Sequence, residues 1–522
     1  MELDWLKKWS QYAPHSVAIK DGETGREYTY KNAYELSMRG AHVLEKKYQI
    51  QRNDRVAILS TNEVEYYFLF FALQRLGAIM VPVNFRLTQR EVEHIVTDCS
   101  PKLVIYQEAY EAAVKNLPTK TSSGDLQTCT LSAISRELGS LEANSSGYME
   151  GVPKKEFVSD PEDAAMILYT SGTTGAPKGA LISFKMLFWN SINTSLRLNI
   201  SQKDCTIIFL PFFHTGGWNV LTNPFVHRGA KIVLLKKFDA DQILNLAAKE
   251  KATILFGVPT TMDMMARSAA FKDTDLSNLR YAIVGGEPMP IDLIHTWHRK
   301  GIPIRQGYGL TEFGPNVFSL NEEDAIRKIG SIGFTNFYTE AKVVDGDGKE
   351  LGPNEIGELV LQGPMCMNGY WKNEKATKET LKEGWLYTGD LVKKDEEGYY
   401  YVVGRKKDMY KSGGENVYPT EIEQVLRHYE GIKEVAVLGV PDTKWGEVGK
   451  AFIVKEASSK ESEAKEVSSL DEAKLYSYCL QNLAKFKIPK HFVFVDELPK
   501  GESGKILKRK ILELYPHKET SL

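Results

Sequence analysis

Cysteine is scarce in this 522-residue chain. Cys99, Cys129, Cys205, Cys366 and Cys479 are scattered, odd in number and form no CxxC pair. That excludes a disulfide framework and a CxxC-type zinc site, and points to a reducing compartment. An excess of one charge is also absent: Lys+Arg 66 stand against Asp+Glu 68, a net −2. A balanced chain has no electrostatic footprint for nucleic acid or an anionic membrane surface. Long apolar runs are missing too. The most apolar stretch, 66–83 (YYFLFFALQRLGAIMVPV), is interrupted by Gln74 and Arg75. It is predicted to be a buried helix followed by a strand, with no integral membrane segment. The opening MELDWLKKWSQYAP is charged and mixed, unlike a secretory leader. The final Thr520-Ser521-Leu522 lacks the middle lysine of an S-K-L address. No internal repeat is present. The expectation is a cytoplasmic globular protein with two or more cores.

What is present begins with alternating strands and helices. Strands are predicted at 231–235, 253–258, 279–284 and 302–305. A helix is predicted at 239–249, where Ile243, Leu244, Leu246 and Ala247 recur at helical spacing. Thr260 is a candidate cap for the helix that follows the second of these strands. Pro290 opens another helix and Gly301 closes it. This pattern implies a largely parallel sheet covered by helices. Polar, Gly-rich loops follow the strands: GVPT at 257–260, GGEP at 285–288 and QGYGLTE at 306–312. In open parallel sheets ligands bind beyond the carboxyl ends of strands, so three such loops point to a site.

From about residue 341 the pattern becomes short strands and tight turns, DGDGKE at 345–350 and DEEG at 395–398 among them. The segment 408–414 (DMYKSGG) is a candidate boundary. Beyond it, strands are predicted at 434–440, 450–454 and 491–495, with a helix near 475–483. The run 456–469 is polar and of low complexity, and reads as a loop. The fold class expected is α/β: a large, multi-subdomain N-terminal domain over 1–407 and a small, mobile α/β C-terminal domain over 408–522.

The strongest chemical signal is YTSGTTGAPKG at 169–179, straight after an apolar run. Its three glycines let the backbone turn and aim N–H groups at an anion. Thr170, Ser171, Thr173 and Thr174 add hydroxyls, and Lys178 adds positive charge. The pattern suits a polyphosphate, yet it is not a Walker A loop, because no Gly-Lys-Ser/Thr follows the glycines. A bare Ser/Gly turn would need neither this many donors nor the lysine.

This run resembles the phosphate loop of the adenylate-forming superfamily, which contains acyl-CoA synthetases, adenylation domains and luciferases. The resemblance continues in order along the chain. LPFFHTGG (210–217), GVPT, GGEP and YGLTE resemble its middle motifs. YTGD (387–390), GRKKD (404–408), SGGENVYPTEIE (412–423) and PKGESGKILKR (499–509) resemble its later ones. The match spans roughly residues 30 to 510, and the close packing of SGGENVYPTEIE favours an acyl-CoA ligase. The implied activity is ATP-dependent conversion of a carboxylic acid to an acyl-adenylate with release of pyrophosphate. Coenzyme A then displaces AMP to give a thioester.

The resemblance also implies roles for residues. ATP would be held by Thr170, Ser171, Gly172, Thr173, Thr174 and Lys178, by Gly285, Gly286 and Glu287, and by Gln306, Gly307, Tyr308, Gly309 and Thr311. Tyr308 would stack on adenine and Thr311 would contact phosphate. Glu312 would hold Mg2+, Asp390 the ribose hydroxyls, and Arg405 the ribose or phosphate end. Lys505 is the implied catalytic lysine, with Thr311 and Glu312 beside it in that role; Lys500, Lys508 and Lys510 are equally charged neighbours by composition. His214 would gate an acid pocket, and from their loops Trp218, Val258, Gly285 and Val317 are its candidate neighbours; Trp218 points to a bounded or aromatic-compatible pocket, whereas Gly216-Gly217 could open a channel. Asp408 would be the hinge. Gly413 and Gly414 would let the pantetheine arm pass, and Trp445 would pack on the CoA nucleotide. Two features depart from the family pattern. Ser183 is followed by Phe184 where a histidine is common, and FKIPKH offers Lys485, Lys487 and Lys490 but no arginine for CoA phosphates. The expected partners are the small-molecule acid and CoA, with a homodimer left open. A medium-chain fatty or aryl acid is the expected substrate. Loading of a carrier protein, a luciferase-like oxygenase and a non-enzymatic nucleotide-binding remnant are the alternatives.

Overall fold

The structure, a computed structural model, describes residues 1–139, 159–170, 177–456, 470–500 and 506–516. The chain divides into two compact units, one of Met1–Ala341 and Leu361–Tyr387, the other of Lys342–Val360 and Thr388–Leu522.

The stretch 66–83 folds as the sequence predicts. A helix, Val64–Leu76, ends at Gly77, whose φ of +64° favours glycine, and the strand Ile79–Val83 follows. Every residue of the helix except Glu65 is buried, as the apolar run Tyr66–Leu73 requires. Arg75 survives there because both guanidinium ends bind Asp4 at 2.7 Å. Among the described residues no helix is long and apolar enough to cross a membrane.

Among the described residues the first unit holds three sheets of four to six strands and a two-stranded ribbon, Lys120–Thr121 with Gly124–Asp125. One runs Lys178–Ser183, Ala164–Thr170, Ile79–Val83, Arg55–Leu59, Leu103–Tyr106, Gln127–Thr130, all parallel except its first pair. A second holds Cys205–Ile208, Lys231–Leu234, Val17–Asp21 and Glu27–Thr29. The third runs Ile254–Gly257, Tyr281–Val284, Ile304–Leu310, Gly314–Ser319, Phe334–Thr335, parallel in its first three strands. The strand at 231 therefore joins Cys205–Ile208 before it, and not the sheet of the strands that follow it. It pairs with Val17–Asp21, near the start of the chain. The predicted helices are present as Ala240–Lys249, capped by Asp239, and Ile291–Arg299 behind Pro290. Thr260 is not a cap. The helix begins at Pro259, placing Thr260 inside its first turn, while Thr261 Oγ1 accepts the Val258 N–H at 3.0 Å.

The Asp-Gly turns form as expected: Asp345 Oδ1 accepts the N–H groups of Asp347 and Lys349, and Asp395 Oδ1 those of Glu397 and Tyr399. Further on, Ile432–Asp442 and Gly446–Lys455 form a long antiparallel pair with His491–Phe494 parallel alongside. Alternate residues feed two apolar layers. Val435, Val437, Ala451 and Ile453 meet the helices Pro419–Arg427 and Glu472–Asn482; Ala436, Leu438, Phe452 and Val454 meet Leu498 and Ile511.

Candidate active site

Ala164–Thr170 and Lys178–Ser183 are the two arms of a hairpin, with Thr170 directly opposite Lys178. The tip carrying Ser171, Gly172, Thr173 and Thr174 lies outside the described residues. Gly179 is needed for packing, since a Cβ there would stand 2.5 Å from the Ile167 side chain. The Tyr169 hydroxyl donates to Asp98, which anchors the hairpin's outer edge.

In the third sheet, the loops after Gly257 and Val284 lie on neighbouring parallel strands. Gly286 adopts φ +89°, and a Cβ on Gly285 would lie 3.4 Å from the Gly307 carbonyl. The buried Gln306 side chain is committed to this loop: its Oε1 accepts the Met289 N–H at 3.2 Å. It shapes the GGEP turn from beneath. Ile304–Leu310 then folds back on Gly314–Ser319. The return is so tight that a Cβ on Gly309 would sit 2.2 Å from the Pro315 backbone. Tyr308 packs edge-on to Phe318 at 5.8 Å. Thr311 and Glu312 occupy the tip.

Glu312 has a partner that the sequence did not disclose. The Tyr370 hydroxyl donates to Glu312 Oε1 at 2.9 Å, and the Lys178 ammonium lies 5.5 Å from the centre of the same ring. Burial pushes the Tyr370 phenol well above its ordinary pKa, with the Glu312 charge adding to the shift, so it stays a donor. The signal in sequence was slight: a Gly-Tyr-Trp triplet without charge. Glu312 presents a hard carboxylate oxygen, Oε2, for a cation, a donor type that suits Mg2+.

Around the expected acid pocket the outcome is mixed. His214 packs on Phe213 at 4.5 Å, and Val258 is half-buried. Trp218 is 0% exposed, stacked on Phe212 at 4.1 Å and flanked by Phe70. It belongs to an aromatic core and has no accessible face. Val317 is likewise fully buried. A Cβ on Gly217 would meet the Pro211 carbonyl at 2.3 Å, so backbone packing by itself requires that glycine. Beside them lies a buried amide network. Asn316 Nδ2 donates to Thr194 Oγ1 at 2.6 Å and to the Asn219 carbonyl at 3.1 Å, and Asn190 Nδ2 donates to the Asn219 carbonyl at 2.7 Å. Ser183 caps the helix Phe184–Leu198 by accepting the Met186 N–H, and Phe184 enters the core in place of the family's histidine.

In the second unit, Asp390 stands opposite Arg405 across paired strands, and Arg405 Nε meets Asp390 Oδ1 at 2.7 Å. Thr388 Oγ1 accepts the Asp390 N–H and donates to the Leu359 carbonyl, which sets the strand's course. Lys406 binds Glu358 at 2.7 Å. Asp408 follows, its N–H donated to the Arg405 carbonyl. Gly413 and Gly414 turn Tyr410–Ser412 into Glu415–Val417 with φ of +61° and +89°. The half-exposed Trp445 lies over Gly413, whose Cβ would be 2.8 Å from the indole, and Lys444 and Lys490 stand 5.1 and 5.4 Å from its ring. Lys487 and Lys490 are engaged by Glu421 and Asp442. Lys505 lies outside the described residues.

The α/β architecture is that of the adenylate-forming enzymes, a nucleotide-dependent class. The chain belongs to the AMP-binding enzyme family, which matches residues 6–371, with the AMP-binding enzyme C-terminal domain at 421–505. Within the adenylate-forming superfamily it stands among the acyl-CoA synthetases. It is 36% identical over 519 residues to an indoleacetate–CoA ligase of Aromatoleum aromaticum, covering 99% of both chains. It is 34% identical over 509 residues to a feruloyl-CoA synthase of Amycolatopsis, covering 97% of both. It is 34% identical over 516 residues to a long-chain-fatty-acid–CoA ligase of Mycobacterium tuberculosis, covering 98% of both. Among solved structures it resembles ATP-bound MatB from Rhodopseudomonas palustris, with TM-score 0.87 and 31% identity over 99% of both chains. It also resembles o-succinylbenzoate CoA synthetase from Bacillus subtilis with its acyl-adenylate intermediate, with TM-score 0.86 and 28% identity over 99% of both.

Proposed function

We propose that this acyl-CoA synthetase acts on an aryl-substituted carboxylic acid, and that the site residues divide the work between the two half-reactions. The observation that carries the site assignment is the meeting of Lys178 and Glu312 on one tyrosine. One side chain thus contacts both a cation suited to phosphate oxygens and a carboxylate suited to a divalent cation. The reaction is acid activation with ATP followed by thioester formation with CoA. The acid's carboxylate attacks the α-phosphorus, pyrophosphate leaves, and the CoA thiol then displaces AMP from the acyl carbon. Carrier-protein loading is not the favoured reading.

Lys178 and the hydroxyls of the hairpin tip receive the polyphosphate. Glu312 would hold magnesium, which when bound would supply charge neutralisation. Tyr308 and the Gly285-Gly286 turn take the base. Asp390 receives the ribose hydroxyls, with Arg405 as its movable partner. Lys505 neutralises charge at the α-phosphate in the first step. Gly413, Gly414 and Trp445 serve the thiol arm and nucleotide of CoA in the second, with Asp408 as the pivot at the boundary of 1–407 and 408–522. An aryl acid suits two of the relatives, whose names carry feruloyl and indoleacetate. Five free cysteines suit a cytoplasmic setting.

The test is product analysis across aliphatic and aromatic acids, followed by half-reactions of Lys505→Ala. AMP, pyrophosphate and an aryl-CoA are expected. Lys505→Ala should lose acid-dependent pyrophosphate release yet still convert supplied acyl-adenylate to acyl-CoA. ADP and phosphate as products would refute attack at the α-phosphorus, and equal slowing of both halves would remove Lys505 from the first step.

A further inference from the structure

We propose that Tyr370 is a positioning residue for ATP and magnesium, its phenol setting the Glu312 carboxylate and its ring seating the Lys178 ammonium. The proposal rests on the reading of Lys178 and Glu312 given above. Neither partner is near Tyr370 in sequence, and the backbone leaves the ring little choice of place. Tyr370 bridges Ala180 in antiparallel fashion, and its N–H donates to Thr377 Oγ1 at 2.9 Å. On one side of it the Leu181 N–H donates to the Gly369 carbonyl at 3.0 Å; on the other the Trp371 N–H donates to the Gly179 carbonyl at 2.7 Å. The Trp371 indole is tied to the Asp98 carbonyl at 3.1 Å. The same segment holds the main chain of Glu312 as well, because the Met367 N–H donates to the Glu312 carbonyl at 2.9 Å.

Each contact suits a waiting site. A glutamate at a hairpin tip samples several rotamers, and a hydrogen bond to Oε1 selects among them while leaving Oε2 for a cation. At the lysine end, an aromatic face attracts an ammonium within about 6 Å without neutralising it, as a carboxylate would. Among the described residues no carboxylate pairs with Lys178. Its charge is placed and still available to phosphate. One fixed side chain thus sets the spacing between the two groups.

Tyr370→Phe keeps the ring and removes the hydroxyl. In calorimetry its Kd for ATP in Mg2+ should rise about tenfold, the order typical when a hydrogen bond supporting a ligand carboxylate is lost. ATP binding in EDTA, the KM for the acid and acyl-CoA formation from supplied acyl-adenylate should not change. Tyr370→Leu removes the ring too, and should weaken ATP binding even in EDTA. Glu312→Gln is the control. If it binds ATP in Mg2+ as the unaltered enzyme does, the reading of Glu312 fails, and this proposal with it. If Glu312→Gln loses the magnesium effect while Tyr370→Phe keeps it, the positioning role alone is overturned. In the double variant Tyr370→Phe should add nothing to Glu312→Gln; full additivity overturns the coupling. A lowered thermal midpoint with a raised acid KM in Tyr370→Phe would mark a structural tyrosine and also overturn the proposal.

Discussion

Two arginine–carboxylate pairs in this molecule share a chemistry and differ in design. Arg75 and Asp4 are both buried, with side chains 2% and 7% exposed, and meet bidentately. Arg75 Nε donates to Ser37 Oγ at 3.2 Å, and the guanidinium covers the Tyr34 ring at 4.7 Å. Every face of that arginine is engaged by protein. Asp390 is equally buried at 5%, but its partner Arg405 keeps 48% of its side chain in solvent. One pair is closed and holds the first helix, Trp5–Tyr12, whose cap is Asp4. The other has one sheltered member and one that water can reach. A closed pair is a structural clasp; a half-open pair suits a carboxylate whose partner gives way to a ligand.

Asp4→Ala tests the clasp and should have the largest effect. It leaves a buried, uncompensated guanidinium, at a cost of about 3–5 kcal/mol in urea unfolding. Folded enzyme at saturating substrates should keep its turnover. The next effect belongs to the same region. Trp5 stacks on His227 at 4.3 Å, and burial, with Arg228 beside it, lowers the His227 pKa to about 4 from 6.5. The unfolded chain therefore takes up a proton below pH 6.5 that the folded chain refuses until about pH 4. Stability is full above pH 6.5 and falls as pH drops through that window, by at most about 3 kcal/mol from this group. His227→Gln should flatten thermal midpoint against pH between those limits; an unchanged slope would remove His227 as the cause. Asp390→Asn comes third, weakening ATP binding by about 1.5–3 kcal/mol in calorimetry. The smallest is Arg405→Lys, which keeps a cation beside the buried Asp390 and should stay within about 1 kcal/mol of the parent because that cation is half in water. If Arg405→Lys destabilises as much as Asp4→Ala, the contrast between clasp and half-open pair is wrong.

The parts of the fold that could be read from sequence are local. The helix-then-strand at 66–83, the Asp-Gly turns and the strands before the glycine loops all follow from periodicity and turn chemistry over a few residues. The parts that could not be read depend on distant neighbours. Lys231–Leu234 looked like the first strand of a run, yet pairs with Val17–Asp21. Trp218 and Gly217 looked like pocket residues beside His214. Packing against Phe212 and Pro211 decides them instead. Gln306 lay within a nucleotide motif, but its side chain holds the Met289 backbone. Tyr370 carried no chemical signal, because its importance comes only from Ala180 and Glu312 lying beside it.

By itself the sequence determined the kind of chemistry available. The order of Gly-rich loops, the hydroxyls and lysine of 169–179, Glu312 and Asp390 are covalent facts, and the donors and charges they bring do not depend on neighbours. The tertiary structure decided which of those groups are held for use. Hydrogen bonds and ring contacts act only over a few ångströms. Whether a carboxylate is gripped, half-open or set by a tyrosine is therefore settled by strand pairing between segments far apart in the chain, as 178–181 with 369–371 here.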